Sequence, residues 1–381
     1  MNKLFRTVAL ILLALATATS ANAQRRASGA GELISQQAIA GAPLGATAFR
    51  VLYRSTGLRG EPIEVSGMVI VPANAPPGGR APIVAWAHYT SGIAPDCAPS
   101  TGPFKYLVIP GLGQMLARGY IVTATDYPGL GTPETHPYLV GVSEGRAVLD
   151  SARAAEQLTG DAGAPVAVWG HSQGGQAALY AGLLARSYAP DLDLVGVAAA
   201  APPTDLGQLL RYAEGSPIGK SLLAMTLASW SRVYGVPLDN VVDPAALPNI
   251  ERLAQYCLDT PTGIAGWVPA AGSLLQRDFV SSDLAELQPW RSLIARNSVG
   301  PLPSRVPVFI AQGTGDELVE PQVTAAYFAR LCAARNPATL LMMPGVGHVL
   351  AGLASADAAI GWIDARFAGV PPTSNCSSLG Q

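Results

Sequence analysis

Short, almost wholly apolar runs alternate with helical patterns along the 381 residues of this chain. Such runs are typical of strands buried on both faces of a parallel sheet, and the intervening patterns predict the helices that connect parallel strands. We therefore predict an α/β fold with a mostly parallel, doubly wound sheet. The apolar runs are APIVAWAH (81–88), GYIVTATD (119–126), VAVWG (166–170), LVGVAAAA (194–201), VPVFIAQG (306–313) and ATLLMMPG (338–345). The helical patterns include YLVIPGLGQMLARG (106–119) and SEGRAVLDSARAAEQL (143–158).

Two regions depart from this alternation of strand and helix patterns. Near the amino end, ATAFRVLYRS (46–55) and IEVSGMVIVP (63–72) flank the turn-prone GLRGEP, a pattern that predicts an antiparallel hairpin. Residues 202–301 are rich in helix formers, Pro and Gly and contain no clear strand run, so we predict a helical cap inserted into the fold. The predicted core then comprises residues 24–201 and 302–381.

The first 23 residues have the organisation of a secretory signal peptide. Lys3 and Arg6 precede the apolar run TVALILLALATATS, and Ala-Asn-Ala at 21–23 is an A-x-A cleavage signal. The run is shorter than the roughly 20 residues of a membrane-spanning helix, which disfavours an uncleaved anchor. We expect a secreted or periplasmic chain without a transmembrane segment, beginning near Gln24 with an irregular arm over 24–45.

Composition narrows the possible functions. The formal net charge is −2, so the chain lacks the basic excess that nucleic-acid binding requires. Hydrophobic residues make up 49% of the chain and charged residues only 13%, which is enough for a large core and an apolar binding surface. Histidine is scarce and no H-E-x-x-H motif exists, so we expect no metal site.

The four cysteines predict disulfides, because an even number in an exported chain is typical of cross-linking. They are Cys97, Cys257, Cys332 and Cys376. Four cysteines allow three pairings, and their spacing alone does not select one.

The stretch Gly170-His171-Ser172-Gln173-Gly174 fits the G-x-S-x-G pattern of a nucleophile elbow. In such an elbow a very tight turn from strand to helix lifts the serine hydroxyl above the sheet, and the residues two before and two after it must be small. The pattern therefore predicts Ser172 as a nucleophile. The backbone N–H of Gln173 is the expected first donor of an oxyanion hole, and the helix that follows aims its amino end at the same place.

A serine needs a base and an acid, which follow it in the order acid, then histidine, in enzymes of this kind. Only His348 follows Ser172, in a Gly-rich loop after the last apolar run, so we predict it as the base. Asp316, on the loop after VPVFIAQ, is preferred as the acid over Glu317 and Glu320. The remaining histidines are assigned structural roles: His88, His136 and His171. The second oxyanion donor should come from the loop after the first parallel strand, with Thr90 preferred and Ser91 the alternative.

Six segments together resemble the secretory lipases of the α/β-hydrolase superfamily, a group that includes fungal lipase A and many exported bacterial esterases. The resemblance implies an α/β-hydrolase fold with a cap over the site, and it implies the pairs Cys97–Cys257 and Cys332–Cys376. Where fungal lipase A carries acidic residues in the oxyanion loop, this chain has Tyr-Thr-Ser at 89–91. The segments are APDCAPS (94–100), TDYPGLGTPETHPYLVG (125–141), GHSQGG (170–175), LQPWRSLIARNSVG (287–300), QGTGDELV (312–319) and GVGH (345–348).

We therefore expect an exported serine hydrolase that cleaves hydrophobic or lipid esters through an acyl-enzyme on Ser172, without a cofactor and at a lipid–water interface. One alternative is an esterase for short-chain, aromatic or polymeric esters. An acyltransferase or peptidase of the same fold would use the same three side chains. A non-catalytic binding protein is least favoured, because serine, acid and histidine are all available.

Overall fold

The computed structural model describes residues 29–76, 80–213, 215–259, 265, 271–272, 278–303 and 305–378. The predicted signal peptide lies outside these residues, so its cleavage stays a prediction. Across the described ranges, no helix combines the length and the apolarity that crossing a membrane requires.

A nine-stranded sheet forms the centre of the described chain. Its strands are β1 (Leu33–Ile39), β2 (Ala46–Thr56), β3 (Pro62–Pro72), β4 (Ile83–Ala87), β5 (Ile121–Thr125), β6 (Pro165–His171), β7 (Asp193–Ala200), β8 (Val308–Gly313) and β9 (Ala338–Met343). Their order across the sheet is β1-β2-β3-β5-β4-β6-β7-β8-β9. The six strands from β5 to β9 in this order are parallel, and β1, β2 and β3 pair antiparallel. The mostly parallel sheet and its amino-terminal hairpin are confirmed.

The prediction of an irregular arm over residues 24–45 was wrong for residues 33–39, which form β1. This strand pairs with β2 from Leu33 opposite Tyr53 to Ile39 opposite Ala48. Its five central residues are exposed, because β1 lies at the edge of the sheet. An edge strand of this kind has no alternation of apolar and polar residues, which is the signal that a sequence pattern can detect.

Helices cover both faces of the sheet. They are α1 (Leu112–Ala117), α2 (Gly141–Thr159), α3 (Gln173–Tyr188), α4 (Leu206–Ala213), α5 (Pro217–Tyr234), α6 (Leu247–Leu253), α7 (Trp290–Asn297), α8 (Pro321–Ala333) and α9 (Ala351–Phe367). On one face α2, α3 and α8 contribute to an apolar cluster with the sheet, and on the other face α1 and α9 do so. The helical pattern over 106–119 yields only the six residues of α1, because Gly111 before it adopts a left-handed conformation with φ 76°.

The segment between β7 and β8, residues 201–307, is called the insertion here. Its described part contains α4 to α7 and has an apolar cluster of its own, in which the rings of Trp230 and Trp290 stack with centroids 6.3 Å apart. Ile93 and Tyr138, from loops at the carboxyl ends of β4 and β5, belong to the same cluster. The insertion therefore packs on the loops at that edge of the sheet.

Two disulfides cross-link the chain, and they are the two that the resemblance implies. Cys97–Cys257 joins the loop after β4 to the insertion, and Cys332–Cys376 joins α8 to the carboxyl-terminal tail. The tail then runs along β9. There, the Asn375 side chain accepts a hydrogen bond from the Leu340 N–H and donates one to its carbonyl, both at 2.9 Å.

Replacing Cys97 and Cys257 by serine should lower the free energy of unfolding by about 2–5 kcal/mol, because the unfolded chain regains the freedom that the cross-link removes. The Cys332–Cys376 pair closes a loop of 44 residues instead of 160, so its double serine variant should lose about 1 kcal/mol less. Equilibrium unfolding in urea measures both differences. Unchanged stability of the Cys97/Cys257 variant would contradict this prediction.

Candidate active site

The turn between β6 and α3 places Ser172 above the carboxyl edge of the sheet. Its backbone has φ 57° and ψ −121°, a conformation that non-glycine residues rarely adopt. The Ser172 N–H is held by a 2.9 Å hydrogen bond to the Ala200 carbonyl at the end of β7. This strained and anchored backbone is the geometry that a nucleophile elbow requires.

Two glycines make this turn sterically possible. A Cβ atom added to Gly170 would lie 2.1 Å from the Gly174 carbonyl oxygen, and one added to Gly174 would lie 1.9 Å from the carbonyl oxygen of Ala87. Both atoms belong to backbone that cannot move without displacing the elbow or the end of β4. The small residues predicted on either side of the serine are therefore required, at 170 by the start of α3 and at 174 by the end of β4.

The structure brings Ser172, His348 and Asp316 into one chain of hydrogen bonds. Nε2 of His348 lies 2.7 Å from the Ser172 hydroxyl oxygen, and Nδ1 lies 2.8 Å from Oδ2 of Asp316. The three residues come from the carboxyl ends of β6, β9 and β8. In this arrangement His348 can receive a proton from Ser172, and Asp316 can hold the ring in the tautomer that this transfer requires.

Asp316 is buried and accepts four hydrogen bonds. Its Oδ1 receives the N–H groups of Leu318 and Val319, each at 2.9 Å, and its Oδ2 receives the Gln312 side-chain amide at 2.9 Å as well as His348. Burial alone would raise the pKa of Asp316, but the bonds from His348 and the two N–H groups outweigh it, so the pKa lies below its ordinary value. Asp316 is therefore ionised at neutral pH.

Neighbouring loops fix the positions of the acid and the base relative to each other. The N–H of Gly315 donates to the Val346 carbonyl at 3.0 Å, and the N–H of Gly345 donates to the Thr314 hydroxyl at 2.8 Å. These bonds join the loop after β8 to the loop after β9. Gln312, the residue in β8 that holds Asp316, was not predicted from the sequence, because its role depends on the loop that folds back over it.

His171 supports the backbone of the base. Its Nε2 donates to the carbonyl oxygen of His348 at 2.9 Å, and the two imidazole rings lie 5.4 Å apart. Burial, and then the nearby His348, lowers the pKa of His171 to about 3, so the ring is neutral. The structural role expected for His171 is therefore to hold the backbone of His348. Gly352 in α9 leaves room for the His171 ring.

The expected oxyanion donors lie on both sides of the serine. Within the residues that the structure describes, neither the Gln173 N–H nor the Thr90 N–H donates a hydrogen bond to a protein atom. The hydroxyl of Thr90 contacts the Tyr138 hydroxyl at 2.9 Å. The N–H of Ser91, the alternative donor, also has no protein acceptor in the described chain, while the Ser91 carbonyl accepts the Leu258 N–H of the insertion.

Residues 107–375 match the sequence profile of a family described as Secretory lipase, which covers more than half of the chain. The chain belongs to the secretory lipase family. Similar curated proteins include Lipase 10 of Candida albicans, 29% identical over 86% of this chain and 74% of that protein. They also include a protein of Mycobacterium tuberculosis named a probable inactive lipase, 27% identical over 87% of this chain and 76% of that protein.

Solved structures similar to this secretory-lipase chain have the same fold. Candida antarctica lipase A in its closed state superposes with a TM-score of 0.77 at 21% identity, covering 92% of this chain and 85% of that one. The rice cell wall degrading esterase LipA from Xanthomonas oryzae gives a TM-score of 0.69 at 18% identity, covering 87% and 95%. The fold is that of an α/β-hydrolase, as the resemblance implied.

In this member of the secretory lipase family, Gly174→Ala should lower the free energy of unfolding by about 1–3 kcal/mol, because the added methyl group overlaps the Ala87 carbonyl. Gly361→Ala is the matched control: Gly361 lies within α9, and an added Cβ meets nothing within 4 Å. That control should gain about 0.5–1 kcal/mol from the better helix propensity of alanine. Urea unfolding measures both, and equal effects of the two substitutions would refute the steric argument.

Proposed function

We propose that this member of the secretory lipase family is an exported serine hydrolase that cleaves carboxylic esters of hydrophobic or lipid substrates. The observation that carries the proposal is the unbroken chain of hydrogen bonds from Ser172 through His348 to Asp316. Families of lipases and esterases use this arrangement for acyl transfer, and the family description supports the ester as substrate. Export is supported by the description of the family as secretory and by the signal-like residues 1–23.

In the proposed reaction the ester carbonyl lies between the Ser172 hydroxyl and the two oxyanion donors. His348 takes the serine proton as the oxygen attacks, and Asp316 stabilises the imidazolium that forms. The N–H groups of Gln173 and Thr90 bind the oxyanion, each typically worth a few kcal/mol of the barrier. His348 then gives its proton to the leaving alcohol. Water, activated by the same base, hydrolyses the acyl-enzyme and restores the serine.

Apolar surface next to the base supports a hydrophobic substrate. Val349, Leu350 and Leu353 lie within five residues after His348 and are 73%, 58% and 66% exposed. An apolar crevice lies between α4, α5 and Leu318, whose N–H holds Asp316. Large exposed apolar side chains are typical of surfaces that contact lipid or apolar ligands. Both features adjoin the loops that carry the base and the acid, since Val349 follows His348 and Leu318 lies two residues after Asp316.

The second candidate is a non-catalytic protein of the same fold, because one similar protein is named a probable inactive lipase. The distances from Ser172 to His348 and from His348 to Asp316 favour catalysis in this chain, since a protein without activity has no need of this alignment. An esterase for bulky or polymeric esters would use the same mechanism and differ only in its substrate.

Ser172→Ala should lower the rate of ester hydrolysis by about four orders of magnitude or more, because it removes the nucleophile. It should also prevent covalent labelling by a fluorophosphonate, while the thermal unfolding midpoint changes little. Ser187→Ala, at an exposed position near the end of α3, is the control and should keep both properties. A Ser172→Ala protein that hydrolyses esters at the wild-type rate would exclude the proposed nucleophile.

Initial rates of the wild-type protein on a ladder of substrates then separate the candidate activities. The ladder runs from acetate esters to long-chain triglycerides and includes a bulky aromatic ester and a peptide amide. We expect the highest kcat/KM on hydrophobic esters and none on the amide. Hydrolysis of no ester, together with no fluorophosphonate labelling, would favour the non-catalytic candidate.

Leu353→Ser should reduce hydrolysis of emulsified long-chain triglyceride by about tenfold, since one exposed leucine buried against lipid is worth roughly 1.5–3 kcal/mol. Its effect on a dissolved short-chain ester should be much smaller. Leu44→Ser is the matched control: Leu44 is fully exposed in the turn between β1 and β2, at the opposite end of the sheet from Ser172. If both variants lose the same activity on the emulsion, the surface beside His348 does not bind lipid.

A further inference from the structure

Buried polar side chains surround the side chain of Gln173, the residue that follows the elbow serine. Its amide Nε2 lies 2.7 Å from Oε1 of Glu144 and 3.1 Å from Nε2 of His136. Glu144 is fully buried in the first turn of α2, and its Oε1 also accepts the Leu139 N–H at 2.9 Å. The mechanism described above uses the backbone of Gln173 and none of these side chains.

The partners of His136 determine the direction of each hydrogen bond in this group. Nδ1 of His136 lies 2.8 Å from the Pro128 carbonyl oxygen, which can only accept, so Nδ1 carries the proton. Nε2 then accepts one N–H of the Gln173 amide, and the other N–H goes to Glu144. Both N–H groups of Gln173 are used, and Oε1 of Glu144 accepts two hydrogen bonds.

Among the described residues, no cationic side chain balances a negative charge on Glu144. In the part of the chain that the structure describes, it forms no ion pair and its Oε2 has no hydrogen-bond partner. Burial raises the pKa of Glu144 to about 8, against the smaller effect of the bonds from Gln173 and Leu139, and burial lowers the pKa of His136 to about 3. Both groups are therefore uncharged at neutral pH. The titratable side chains around Glu144 and His136 are Tyr127, Tyr138, Tyr180, Tyr234 and His88.

Further hydrogen bonds connect the neighbourhood of Glu144 and Gln173 to Thr90, the other expected oxyanion donor, and to the insertion. Tyr138, whose hydroxyl contacts Thr90, receives the Trp230 indole N–H on its carbonyl at 2.9 Å and donates its own N–H to the Ser229 hydroxyl at 3.0 Å. Leu139, the next residue, has φ 55°, which is unfavourable for leucine and indicates that surrounding contacts hold it in place. One buried network thus connects both sides of the oxyanion hole.

We propose that Glu144 is a positioning residue that works as an uncharged acid, holding the Gln173 side chain and the Leu139 backbone, and that its ionisation weakens the oxyanion hole. The inference rests on the proposed function, because the oxyanion exists only if an ester reacts at Ser172. The Gln173 side chain connects Glu144 directly to the residue whose N–H is the expected oxyanion donor. A carboxylate there opposes the negative charge of the intermediate, and little solvent is present to screen it.

The pH dependence of kcat on a dissolved ester tests the inference. As the pH rises through about 8, Glu144 ionises, and kcat of the wild-type protein should fall by about tenfold or more. Glu144→Gln keeps an uncharged acceptor for both hydrogen bonds, so this alkaline decrease should disappear while the acidic limb remains. Glu144→Ala, which loses the acceptor, should have a low kcat at every pH with little change in KM.

Glu156→Gln is the matched control, because Glu156 lies on the same helix α2, and its side chain accepts the Gly163 N–H. This variant should keep the alkaline decrease. A folded Glu144→Gln protein with the wild-type decrease would overturn the inference. So would a wild-type kcat that stays constant up to about pH 10.

Infrared spectroscopy of the wild-type protein tests the charge of Glu144 without a substrate. The carboxylic-acid C=O band should be present at about pH 7 and disappear by about pH 10, and subtraction of the Glu144→Gln spectrum should assign it. Absence of the band at pH 7 would overturn the inference even if Glu144→Gln does not fold. If no ester is hydrolysed and Ser172 is not labelled while the band is present, the proposed function fails and the uncharged state of Glu144 stands.

Discussion

The left-handed backbone of Ser172 is the constraint on which the site depends. Backbone from two neighbouring strands closes around this turn at φ 57°: the Ala200 carbonyl accepts the Ser172 N–H, and the Ala87 carbonyl lies against Gly174. The Ala87 carbonyl excludes a side chain at position 174, and the Gly174 carbonyl excludes one at position 170. The elbow fixes the position of the Ser172 Cβ, and the 2.7 Å hydrogen bond to Nε2 of His348 then holds the hydroxyl against the base.

The central sheet was predictable because its signal is local. Strands buried on both faces appear as continuous apolar runs, and β4 to β9 each coincide with one of them. The sequence pattern failed where contacts with another part of the chain determine the local structure. β1 exists because it pairs with β2, although its own residues are polar and exposed. The helical pattern over 106–119 predicted a longer helix than the six residues of α1. The left-handed turn at Gly111 prevents the residues before it from joining the helix, whatever their periodicity.

The residues of the site likewise include some that the sequence predicts and some that it does not. Ser172, Asp316 and His348 were found from chain order and from their positions after strands, and the structure brings the three together. Their supporting residues were not found. Glu144 sits within an amphipathic helical pattern, where an acidic residue is usually solvent-exposed, and its burial follows from the packing of α2 against α3. Contacts between side chains on different elements have no spacing that a single sequence can display.

The carboxyl-terminal tail affects how the molecule behaves toward other copies of itself. β9 is the last strand of the sheet, so one row of its backbone N–H and C=O groups has no neighbouring strand. Asn375 satisfies both groups of Leu340 with its side-chain amide, and the Cys332–Cys376 bond keeps the tail at that edge. An uncovered edge strand is a template for pairing with another chain, which leads to aggregation. Reduction of Cys332–Cys376 removes the covalent tether and leaves hydrogen bonds such as those of Asn375 to hold the tail, so the protection of this edge against pairing is weaker in a reducing compartment.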